Sequence, residues 1–205
     1  VSLDDKKLLQ AFEIIKSDRE KIILFAFNLL KFRALFDRYI IKRDQDEKWS
    51  LLTLEYYDRD RNSSFSYNNS FDKDERSDVN EQLVMILSMF HVSHPAYVYK
   101  RWLNRSLAIL NALALDELNV DGATYLSELE QLSHEFLTEI CGEKEQFNAE
   151  ALHRGTGVQN FVFNLLDYRL WRELAAGQLF DGKGINNPEI KKHFDDFQFS
   201  PSRTS

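Results

Sequence analysis

Apolar residues recur at helical spacing along most of the chain, and polar interruptions divide it into about six or seven helical elements. Residues 3 to 16 place Leu8, Leu9, Phe12 and Ile15 in helical period, with Asp4 and Asp5 where they favour the N-terminal dipole. Ser17 or Asp18 caps a second helix that runs to about Lys42. Its stripe is Ile22, Phe25, Leu29, Phe32, Phe36 and Tyr39, while Ile23, Leu24, Phe27, Leu30, Leu35 and Ile40 fill much of the remaining circumference. A helix that is apolar on most sides is expected to be buried, so this one is predicted to be the central helix. Further on, Leu83, Ile86, Leu87 and Phe90 form the inward face of a helix starting after Asp78. Pro95 starts another that runs to about Ala114, with Tyr99, Trp102, Leu103, Leu107, Leu110 and Leu113 on its core face. A further helix spans Thr124 to Cys141, with Leu126, Leu129, Leu132, Phe136 and Ile140 in period, an acidic surface and Gly142 at its end.

The stretch from His153 to Trp171 reads as a glycine-punctuated turn feeding a helix. Gly155 and Gly157 bracket Thr156, a candidate N-cap. Behind it, Val158, Phe161, Val162, Leu165 and Leu166 form one apolar stripe, and Phe163, Leu166, Leu170 and Leu174 a second. Asn164 and Asp167 interrupt this apolar surface, and a carboxylate buried there requires a partner. Arg33 or Arg38 of the second helix suits that role, although Arg33 is also placed to pair with Asp37 at i, i+4. Asp167 reads as half of a polar clamp between helices, and it is also the one carboxylate to inspect for catalysis.

Residues 43 to 78 depart from the helical pattern and are predicted to be a long irregular excursion. A charge run from Arg43 to Lys48 precedes the aromatic-rich Trp49 to Tyr57, which suits either a short helix or a strand. The polar stretch Asn62 to Ser70 reads as a loop carrying Phe65, Tyr67 and Phe71. Those aromatics either pin the loop to the core or, with Arg59 and Arg61, stack on bases. At the other end, Gly177, Gly182 and Gly184 mark turns, Pro188 starts a short helix to about Phe194, and Phe197 to Phe199 alternates as the start of a strand would.

The fold class is therefore all-α, a bundle of about six or seven helices in a single domain over 1–205, with a subdivision into 1–115 and 124–205 left open. Sixteen phenylalanines against seven glycines and three prolines agree with long helices and few turns. Cys141 is the lone cysteine, which points to a reducing cytoplasm, and no apolar run suits a membrane span. A net charge of −7 argues against a dedicated nucleic-acid-binding domain. Local basic contacts remain open at Lys100, Arg101, Arg105, Lys191, Lys192 and Arg203, a solvated helix face being the plainer reading. The chain begins at Val1 and stops at Arg203-Thr204-Ser205, and both ends read as cut, so a fragment of a longer protein is expected.

No complete catalytic constellation is legible. The Gly-Thr-Gly turn lacks the Lys-Ser/Thr ending of a phosphate loop and no strand pattern precedes it. His91, His94, His134, His153 and His193 form no metal-ligand spacing, and His91 and His94 straddle a helix end. Cys141 reads as a small buried hydrophobe. No catalytic, cofactor-binding or metal-ligating residue is assigned.

Three segments in order carry a family resemblance: Lys31 to Arg43, Leu87 to Leu103, and Phe161 to Trp171. Together they resemble the helical region of bacterial GmrSD-type restriction endonucleases. That resemblance implies a parent with a nucleotide-dependent domain carrying Asp-Gly-Gln-Gln-Arg, a helical middle, and a C-terminal His-Me finger (HNH) nuclease that uses a divalent metal. Neither the Asp-Gly-Gln-Gln-Arg motif nor the nuclease histidine is present here, so no catalytic residue carries over. The implied role is a non-catalytic scaffold in a phage-defence DNA endonuclease, with the flanking domains as partners. Phe163, Asp167 and Trp171 match the family pattern and are expected to pack the last helix against the nuclease fold. The competing class is a helical protein–protein or homo-oligomerisation module with no nucleic-acid role, and exposed apolar surface on the last helix would favour it.

Overall fold

The computed structural model describes residues 10, 12–44, 46–59, 62–71, 78–93, 100–114, 118–142, 157–175, 192 and 196–199. Among them are five helices and two antiparallel hairpins, rather than helices alone. The helices are α1 (Arg19–Tyr39), α2 (Val79–Ser93), α3 (Arg101–Leu113), α4 (Gly122–Cys141) and α5 (Asn160–Ala175). The strands β1 (Lys42–Arg43), β2 (Trp49–Ser50), β3 (Leu52–Arg59) and β4 (Asn62–Asn69) all lie between α1 and α2.

Local chemistry sets the ends of these elements. The Asp18 carboxylate accepts from the Glu20 and Lys21 amides, both at 3.1 Å, and starts α1. The chain leaves α1 when Ile40 turns extended. Within the first helix expected over residues 3 to 16, Gln10 and Phe12 are helical and residues 13 to 17 form turns, with Lys16 N donating to Phe12 O. Most of that segment, residues 1–9 and 11, lies outside the described residues, as do Gly155, Thr156, Pro95 and the predicted helix start at Pro188. Asp121 caps α4 by accepting from the Thr124 amide and hydroxyl at 2.8 and 2.7 Å, and those bonds hold its carboxyl below the usual carboxylate range. Gly142 closes α4 at φ 82°, a conformation that favours glycine, while its amide donates to Thr138 O.

The expected irregular excursion at 43–78 is largely ordered β-structure. The charge run is the tip of the β1–β2 hairpin: Asp44 accepts from the Asp46 and Lys48 amides at 3.0 and 2.8 Å. β3 and β4 pair from Leu52↔Asn69 to Arg59↔Asn62. On one face of this hairpin Tyr56 and Phe65 meet with ring centroids 5.1 Å apart. On the other, Asn68 Nδ2 and the Tyr57 hydroxyl donate to Glu55 Oε2 at 2.9 and 2.6 Å. Phe65 and Tyr67 are exposed, so they do not pin the segment to the core, whereas Phe71 does so between Tyr39 and Tyr125. The segment Phe197–Phe199 forms no strand, yet Phe199 is buried.

The central helix is α2, not α1. Leu83, Ile86, Leu87, Met89 and Phe90 are fully buried, and α2 packs on α4, α5 and β2. The four predicted inward residues of this helix, Leu83, Ile86, Leu87 and Phe90, are all among them. In α1 only Leu35 and Tyr39 are buried; α3 and β3 pack against the helix, and among the described residues most of its first half stays exposed. Gly122 lies in the first turn of α4, against Phe71 and Val79. A Cβ added there would lie 2.7 Å from Phe71 Cδ1 and 2.8 Å from Val79 Cγ1. A side chain at this position would therefore force Phe71 or Val79, at the start of α2, to shift.

Candidate functional site

The residues that carried the sequence-based expectations fall into separate regions. On the α3–α4 seam, the guanidinium of Arg101 forks onto Glu139, with NH1 to Oε2 at 2.7 Å and NH2 to Oε1 at 2.6 Å. It also lies over the Phe136 ring, 5.0 Å from the centroid. Arg105 pairs with Glu135 at 2.6 Å. These bonds hold the Glu139 carboxyl below its usual range and raise Arg101. Two of the six cations expected as local basic contacts are thus paired with the acidic face of α4. Lys100 precedes α3 and is partly exposed, and Lys192 is exposed. Lys191 and Arg203 lie outside the described residues.

Asp167 is not a buried carboxylate. It faces solvent on α5, and Arg33 pairs with Asp37 at 2.6 Å as the i, i+4 spacing allows. The carboxylate that does sit between helices is Glu130 of α4. Its Oε1 accepts from the hydroxyl of the fully buried Tyr168 at 3.0 Å and pairs with Arg172 one turn later on α5. Burial and the adjacent Glu130 charge push the Tyr168 phenol well above its ordinary pKa. Asn164 bonds across to α2, donating to Ser93 Oγ at 3.0 Å. The polar clamp between helices exists, but Glu130, Tyr168 and Asn164 make it. Glu130 carries no sequence signal beyond its position on the α4 helix, one residue after the buried Leu129.

A third cluster gathers around Trp49. Its indole N–H donates to Phe199 O at 2.7 Å, Arg43 lies 4.8 Å over its ring, and His91 meets it edge-on at 4.7 Å. Trp102 of α3 lies on the far side of His91 at 6.1 Å. Trp49 therefore ties the first hairpin, α2 and the segment at 197–199 together. A cleft of about 380 Å³ opens beside it, lined by Ser50, Asn69, Asp78, Glu81, Ser88 and Gln198 among others. Burial, followed by the charges of Lys100 and Arg43, lowers the His91 pKa.

Because folding lowers the His91 pKa, its contribution to stability is complete above its ordinary pKa. That contribution is lost as pH falls and the unfolded chain takes up the proton first. We expect the midpoint of thermal unfolding to fall between about pH 7 and pH 5, and to fall less for His91→Gln. Parallel melts of the two proteins check this, and identical pH slopes would remove His91 as the cause.

No group of three or more His, Cys, Asp or Glu side chains that could hold a metal ion occurs among the described residues. Cys141 is buried. Among the described residues no helix is long and apolar enough to cross a membrane. What the described surface does offer is uncovered apolar side chains in three places: the first half of α1, the outer face of α5, and the face of the β3–β4 hairpin that carries Leu54, Tyr56, Phe65 and Tyr67. On α5, Phe161, Leu165, Tyr168 and Trp171 point inward, while Phe163, Leu166 and Leu170 form an outward stripe. Trp171 is thus a core residue, and its two companions in the expected family pattern, Phe163 and Asp167, lie on the outside.

No protein-family model matches the chain, and no curated protein or solved structure is significantly similar to it.

Proposed function

We propose that this chain is a helical scaffold whose task is to hold a neighbouring protein domain on the outer face of α5. The observation that carries this reading is the stripe of Phe163, Leu166 and Leu170, which are between 45% and 55% exposed at i, i+3 and i+7. Such a row of large apolar side chains on one helix face marks a protein contact more readily than a solvated surface. The resemblance to GmrSD-type endonucleases supplies the occupant: a His-Me finger nuclease domain, with a nucleotide-responsive domain on the other side of the scaffold. In that setting metal and nucleoside triphosphate belong to the flanking domains. DNA contact by this chain is auxiliary, since Arg101 and Arg105 already hold carboxylates.

The alternative, an interaction or oligomerisation module with no nucleic-acid role, is favoured by the same exposed stripe on the last helix and by the apolar surface on α1.

The test is a titration of this chain with a separately expressed GmrSD-type nuclease domain. Binding is expected, and Phe163→Glu with Leu166→Glu should weaken it at least roughly tenfold while the circular dichroism spectrum stays unchanged. Absence of binding would overturn the reading. So would cleavage of plasmid DNA by this chain alone with Mg²⁺, which would place chemistry within it.

A further inference from the structure

The first half of α1 presents an apolar surface independent of α5. From Ile22 to Leu30 the helix carries no charged residue, and Asn28 is its one polar side chain. Phe12 covers part of Phe25, with ring centroids 5.1 Å apart. The side of α1 that meets the body is marked by Leu35 and Tyr39. At about 100° per residue, Leu24 and Phe27 fall in one row along the helix, and Ile23 and Leu30 flank that row on one side. These four are between 56% and 70% exposed.

The charges at the two ends of this stripe have opposite sign. Glu20 lies one turn before Leu24, and Lys31 one turn after Phe27, in the same row of the helix. The neighbouring charges are already engaged, Lys21 with Asp18 and Arg33 with Asp37. Two such rows laid antiparallel bring Glu20 of each beside Lys31 of the other, with Leu24 beside Phe27 between them. Laid parallel, they stack like charges at both ends. The arrangement is self-complementary under a twofold axis, as an isologous contact requires.

We propose that the outward stripe of α1 is a homodimer interface, in which α1 pairs antiparallel with α1 of a second copy of this chain. Apolar contact of Leu24 and Phe27, flanked by Ile23 and Leu30, drives the association, and the two Glu20–Lys31 pairs fix its direction.

Sedimentation equilibrium of the whole chain over a range of concentrations tests the proposal. Wild type is expected to dimerise, and Phe27→Glu to be monomeric with an unchanged circular dichroism spectrum. Glu20→Lys and Lys31→Glu should each raise the dimer dissociation constant about threefold to tenfold, because each substitution creates two like-charge contacts per dimer. Combining the two restores opposite charges at both ends and should bring the constant back towards wild type. A wild-type chain that is monomeric throughout overturns the proposal. So does a dimer that survives Phe27→Glu but is lost in Phe163→Glu with Leu166→Glu, which would place the contact on α5. Failure of the paired reversal to restore affinity overturns the antiparallel pairing. A wild-type monomer that co-sediments with phosphatidylglycerol vesicles through this stripe would assign the stripe to a lipid surface instead.

Discussion

Phe90→Ala is expected to destabilise the fold by about 3–5 kcal/mol. The Phe90 ring is fully buried in α2 and meets one ring from each of three other helices. Trp102 of α3 is stacked at 6.2 Å, Phe136 of α4 is edge-on at 5.8 Å, and Phe161 of α5 is stacked at 6.1 Å. Truncation to Ala loses the transfer energy of the ring and also leaves a cavity. Because the rings around that cavity belong to separate helices, they cannot close it by rotamer changes alone. Against a total stability of roughly 5–15 kcal/mol, the loss brings the chain near the point of unfolding. Phe90→Leu retains much of the volume and should cost distinctly less. Urea titration checks both, the midpoint falling with little change in slope. A loss below about 1 kcal/mol for Phe90→Ala would mean that this aromatic junction is not the centre of the core.

Glu130→Ala is expected to cost about 2–3 kcal/mol. The larger part comes from the Tyr168 hydroxyl, which is fully buried and loses its acceptor. The Arg172 pair contributes less, since that side chain is 35% exposed and water already screens it. Tyr168→Phe in the Glu130→Ala background removes the orphaned donor, so the double variant should be more stable than Glu130→Ala alone. Tyr168→Phe in the wild-type background should instead cost about 1 kcal/mol. If the double variant is no more stable than the single, the hydroxyl is not what makes Glu130 important.

Several features could be read from the linear pattern because they depend on neighbours within one helix. The inward face of α2, the period of α4 and its glycine stop, and the Arg33–Asp37 pair follow from spacing of three and four residues and from glycine's tolerance of positive φ. The hairpin of β3 and β4 was legible in principle, since Ser64-Phe65-Ser66-Tyr67-Asn68 alternates with the period of a strand. It escaped because its polar residues resemble a loop and its turn lacks the usual Asn-Gly or Gly signal.

Burial was not legible in the same way. α1 is apolar around most of its circumference, and the pattern placed it at the centre, yet the body covers only its second half. Hydrophobicity states that a surface benefits from being covered. Which surface is covered depends on how many other elements reach it, and here α4 and α5 converge on α2. The same holds for charge. Arg101 and Arg105 read as free cations along α3 until α4 brings Glu139 and Glu135 opposite, and Asp167 read as buried until Glu130 took the position between helices. The sequence by itself determined the mostly helical character, though not the hairpins, and the inward faces of α2 and α4, because these rest on contacts within about one helical turn. The tertiary structure alone decided which helix is central, which charges are paired, and which apolar faces are left uncovered. Those outcomes depend on contacts between residues far apart in the chain, whose pairing no local period encodes.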